Sequence, residues 1–110
     1  MLDCTNQLLG NPDARDPRVL LTDVLRSALE LLSLPDNDFV PSGSERQDLL
    51  GTIEAILALL ENGDLPGRST VSLLFAPTGP IQEVSLSSGW ADVFLKVSER
   101  FDRAEGRLWR

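Results

Sequence analysis

Histidine and tyrosine are absent from this 110-residue chain, and cysteine and lysine occur once each. Without an imidazole, the commonest general base and the commonest metal ligand are both missing. Serine triads, cysteine–histidine dyads and every histidine-containing zinc pattern go with it. The lone Cys4 excludes an intramolecular disulfide, and the neighbouring Asp3 works against the thiolate that a reactive cysteine needs. Met1-Leu2-Asp3-Cys4 has neither the basic nor the apolar region of a signal peptide. No apolar run approaches the ~20 residues of a membrane-spanning helix. The expected setting is a cytoplasm, bacterial or similar, and no cofactor or metal is expected.

Positive charge is scarce as well. The net charge of −7 disfavours nucleic acid and anionic membrane, which both bind through cationic surfaces. A basic protein partner suits it better. The charge is also uneven: residues 1–66 carry twelve acidic and four basic side chains, whereas residues 67–110 carry five and six. Such asymmetry either marks separate binding faces or lets one half attract the other.

What is present is a folded domain's composition, 42% hydrophobic and 25% charged, in a length that makes one domain with a modest core. The chain is organised around Ser44–Asp64. There Leu49, Leu50, Ile53, Ile56, Leu57 and Leu60 recur at helical spacing. Ser44 and Gln47 match a capping box at its start, and Asn62-Gly63 reads as its stop. Asp16-Pro17 opens an earlier helix with Leu21, Val24, Leu25, Ala28, Leu29 and Leu32 on one stripe, Asp16 as N-cap and Pro17 where its missing N–H does no harm. Leu20, Leu31 and Leu34 widen that stripe, so contact on more than one side is expected. Residues 1–15 read as a loosely ordered arm.

Pro35 to Gly43 reads as an irregular segment, with Phe39 and Val40 expected to tuck beneath the two helices. Thr70–Ala76 is ambiguous between a short helix capped by Ser69 or Thr70 and one strand of a hairpin with Val84–Leu86. Helix is favoured, because a lone strand pair would leave unsatisfied edges. Pro80 to Ser87 reads as one or two further helical turns. Ser88 then caps a last helix in which Trp90, Phe94, Val97, Phe101, Ala104 and Leu108 repeat at four and three. The expected fold is all-α, a compact bundle of three main helices with short helical segments; the alternative is α+β with a two-stranded hairpin at 70–86.

Motifs with chemistry are weak. Asp36-Asn37-Asp38 begins like a calcium loop, but Val40, Pro41 and Gln47 stand where a ligand, a turn glycine and a closing glutamate belong. Gly63–Thr70 lacks the spacing and the lysine of a P-loop. The corner from Phe75 to Trp90 combines prolines, Glu83, a serine cluster and an aromatic, the chemistry of recognition surfaces. Trp109 lies near the end of the chain, either docked back or free for a partner. Asp36, Asp38, Glu83, Trp90 and Trp109 are therefore the candidate partner-binding residues; no catalytic residue is assigned.

The succession Leu59-Leu60-Glu61-Asn62-Gly63-Asp64, Gly67, Leu73-Leu74 and Gly79-Pro80-Ile81-Gln82-Glu83-Val84 resembles small bacterial domains of unknown function. The likeness covers about half the chain. It implies a mainly helical fold and no assigned activity, so no functional residue is carried over. The functional expectation is a non-enzymatic, acidic protein-interaction domain, for example an immunity-type protein neutralising a basic toxin. A structural homodimer or higher oligomer, and a small carboxylate enzyme, are the alternatives.

Overall fold

The computed structural model describes residues 16–77 and 79–109. Among these described residues five α-helices follow one another: α1 (Pro17–Leu32), α2 (Arg46–Glu61), α3 (Arg68–Phe75), α4 (Pro80–Ser88) and α5 (Ala91–Leu108), with a 3-10 turn at Val40–Ser42 between α1 and α2. No strand occurs among the described residues, so the fold is all-α and Thr70–Ala76 is not part of a hairpin. The arm expected at residues 1–15, with Cys4, lies outside the described residues.

Helix α1 is the hub, packing along α5 and α2 and touching α4. Its expected stripe is buried, with Leu20 added and Leu29 half-buried. Of the residues expected to widen the stripe, Leu20 is buried and Leu31 half-buried, whereas Leu34 lies past the end of the helix and is 44% exposed. Asp16 accepts from the Arg18 N–H at 2.8 Å, and Pro17 occupies the first helical position. Helix α2 packs mainly on α1 through Leu49, Ile53, Ile56 and Leu57 and turns its other face to solvent. It ends as expected: Gly63 takes φ 85°, the Gly63 N–H reaches the Leu60 carbonyl at 3.1 Å, and the Asp64 N–H reaches Leu59 at 2.9 Å. This pair of bonds closes a Schellman motif.

The start of α2 differs from expectation. The first helical residue is Arg46, its N-cap is Glu45, and no side chain caps it. Ser44 forms no capping box with Gln47, because its N–H is held by the Ser42 hydroxyl at 3.1 Å as part of the preceding 3-10 turn. Val40 is not tucked in but 86% exposed, while Phe39 is half-buried under the Arg46 guanidinium. Helix α3 begins at Arg68 after Gly67, without a cap from Ser69 or Thr70. Ser88 does not cap α5; Trp90 is the N-cap residue there.

One continuous core joins the stripes. Phe75 of α3 stacks on Phe101 of α5 with ring centroids 4.6 Å apart, a contact worth about 1 kcal/mol beyond its buried area. Ser85 of α4 is the one fully buried polar side chain among the described residues, and its hydroxyl donates to the Gln82 carbonyl at 2.7 Å. That bond removes the penalty of an orphaned hydroxyl.

Candidate functional site

The expected partner-binding residues do not share one surface. Asp36 and Asp38 are exposed on the loop after α1, Glu83 is half-buried in the first turn of α4, and Trp90 is a core residue only 8% exposed. Trp90 meets the Asp38 loop indirectly. Its indole N–H donates to Asn37 Oδ1 at 2.8 Å, and Asn37 Nδ2 in turn donates to the Leu31 carbonyl at 2.7 Å. The Asp38 N–H donates to Ser88 Oγ at 2.8 Å, and Ser87 Oγ donates to the Asp38 carbonyl at 2.7 Å. The serine cluster of the Phe75–Trp90 corner thus stitches the α1–α2 loop onto the end of α4. Phe75 and Trp90 fill that corner from within.

Trp109 docks back. It is half-buried against the core and its indole N–H donates to the Pro66 carbonyl at 3.2 Å. Next to it, Arg68 bonds Glu105 Oε2 and the Trp109 carbonyl, each at 3.3 Å, and the Ser72 hydroxyl donates to the same Glu105 oxygen. These bonds fasten α3 to the last turn of α5.

The Asp38 loop overhangs an open depression of about 520 Å³ lined by residues 37–40 and 43–46. Its one cation, Arg46, is engaged: Nη1 donates to the carbonyls of Leu32 and Leu34 at 3.0 and 2.9 Å. A cation on the free carbonyls ending α1 also complements the negative end of that helix. No cluster of three potential metal ligands exists among the described residues.

The most distinctive electrostatic feature lies around α2, where every described cation in residues 16–66 is engaged by another group of the chain. Arg18 Nη1 donates to the Gly63 carbonyl at 3.1 Å, Arg26 meets Glu61 at 3.8 Å, and Arg46 closes α1. Asp36, Glu45, Asp48, Glu54 and Asp64 are exposed, and their carboxylates have no partner among the described residues. The outward face of α2 carries the small residues Gly51, Ala55 and Ala58 between Asp48 and Glu54. It is an exposed strip of small side chains edged with negative charge. Sequence reasoning named Asp36 and Asp38 but missed Asp48 and Glu54. Their place on the unpacked side of the α2 wheel was readable; that α2 would be left uncovered there was not.

Among the described residues, no helix is long and apolar enough to cross a membrane. Comparison with known proteins returns no matching family model, no matching curated protein and no matching solved structure.

Proposed function

We propose that this chain is a non-enzymatic interaction domain that presents the outer face of α2, with the acidic loop before it, to a basic protein surface. The observation that carries this reading is the division of charge: cations already engaged within the chain, and exposed carboxylates at Asp36, Glu45, Asp48, Glu54 and Asp64 that have no partner among the described residues. Complementary charge of this kind speeds encounter and excludes wrong partners. The small side chains of Gly51, Ala55 and Ala58 allow an opposing helix or loop to approach the backbone closely. An immunity-type role, in which such a face covers a basic toxin, is the form of this function that acidity and small size fit best.

The test is parallel affinity capture with immobilised wild type and a neutralised variant, Glu45→Gln/Asp48→Asn/Glu54→Gln. The reading expects a basic protein that is retained by wild type, lost from the variant, and released as salt rises. Capture that is identical for the two baits contradicts it.

A further inference from the structure

Where α1 and α5 lie side by side, two adjoining depressions of about 320 and 180 Å³ share Ser27, Val93 and Val97 and form one groove. Its floor is apolar, from Leu31 on α1 and Leu34 just past its end to Val93 and Val97 on α5. Leu34 and Val93 remain 44% and 46% exposed. Grouped exposed aliphatics of this kind mark an interaction surface. The rims differ in sign. Glu30 stands on the α1 side, and Lys96 and Arg100 on the α5 side. None of these three charges has an ion-pair partner among the described residues.

The charge pattern identifies the occupant. A groove with one acidic and one basic rim is complementary to itself under a two-fold axis running along its length, because the rotation exchanges the rims. The helices run antiparallel, with Asp23 and Ser27 beside Lys96 and Arg100, and Leu31 and Leu34 beside Val93. That axis therefore lays α1 of one copy over α5 of the other at matching levels. It sets Glu30 against Lys96 and Leu34 against Val93. A two-fold axis across the groove would instead set acid on acid and base on base, which is unfavourable.

We propose that the chain forms a symmetric homodimer through the α1–α5 groove, with Leu31, Leu34, Val93 and Val97 as its apolar centre and Glu30 of each copy paired with Lys96 of the partner subunit. This surface is separate from the acidic face of α2, and its test needs only the purified chain, so either proposal can fail alone.

The experiment is sedimentation equilibrium across a dilution series. Wild type is expected to dissociate reversibly from dimer to monomer as it is diluted. Glu30→Lys and Lys96→Glu are each expected to weaken the dimer about tenfold or more, and the double charge swap to recover most of that loss. Val93→Glu is expected to be monomeric, whereas Leu95→Glu, at an exposed site on the far side of α5, leaves the dimer intact. Because Lys96 is the only lysine, zero-length carbodiimide coupling followed by peptide mass spectrometry is expected to join Lys96 to Glu30 within the dimer band. Circular dichroism confirms that each variant keeps its helical content. A wild type that is monomeric at every concentration overturns the proposal and leaves the groove to a different protein. So does a dimer indifferent to both charge reversals.

Discussion

The indole N–H of Trp90 donates to Asn37 Oδ1 across 2.8 Å, joining side chains 53 positions apart and anchoring the α1–α2 loop to the entrance of α5. Asn37 also holds the Leu31 carbonyl, so it satisfies two groups at once. Asn37→Ala is expected to destabilise the fold by about 1–3 kcal/mol, because a half-buried indole donor and a helix-end carbonyl lose their partner together. Urea denaturation followed by fluorescence measures this.

Arg46 closes α1 through two carbonyls and lies 4.9 Å from the Phe39 ring centroid. Arg46→Ala is expected to cost about 1–3 kcal/mol, from charge-assisted hydrogen bonds and ring contact together. Arg46→Lys should recover only part of this, since an ammonium lacks the planar fork. Thermal unfolding of the three proteins gives the order.

Two glycines are expected to respond oppositely to alanine. Gly79 is buried, and a Cβ there would collide with the Leu73 carbonyl oxygen and crowd Ala76. Gly79→Ala should therefore destabilise by about 1–3 kcal/mol or more. Gly51, inside α2 with nothing within 4 Å of its added Cβ, should gain about 0.5–1 kcal/mol as alanine through helix propensity. Equilibrium unfolding of both variants checks the opposite signs.

Asp102 has a raised carboxyl pKa, through partial burial first and then the charges of Glu105 and Glu99, one turn away on either side. The folded chain thus holds this proton more tightly than the unfolded chain does. Ionised Asp102 weakens the fold at neutral pH, and that weakening fades as pH falls through the folded pKa. Asp102→Asn is expected to raise the melting temperature slightly at pH about 7 and to make no difference near pH about 3. Melting curves across that range decide it.

Local chemistry made much of this architecture legible. The Asp16 cap, the Gly63 stop and the three apolar stripes all depend on residues a turn or two apart, and all appear as expected. The errors lie where distant groups compete for the same atoms. Ser44 has the right neighbours for a capping box, but the Ser42 hydroxyl takes its N–H first. Ser88 stands where a cap belongs, but its oxygen accepts from Asp38, fifty positions earlier. Trp90 is core, as its place in the last apolar stripe implied, and not the recognition residue it was also a candidate for; no spacing rule shows that its indole N–H meets Asn37, 53 positions earlier. The acidic face of α2 was legible only in part, since the wheel shows which side is polar but not which neighbours leave it bare.

The central claim is that the carboxylates around α2 bind a basic partner by charge. The most direct measurement is the affinity of the captured partner for wild type and for Glu45→Gln/Asp48→Asn/Glu54→Gln as salt rises from about 0.05 M to about 0.5 M. The account predicts that wild-type affinity falls about tenfold or more over that range, and that the variant binds weakly with a much shallower dependence. Equal affinity for both proteins, unchanged by salt, would contradict it.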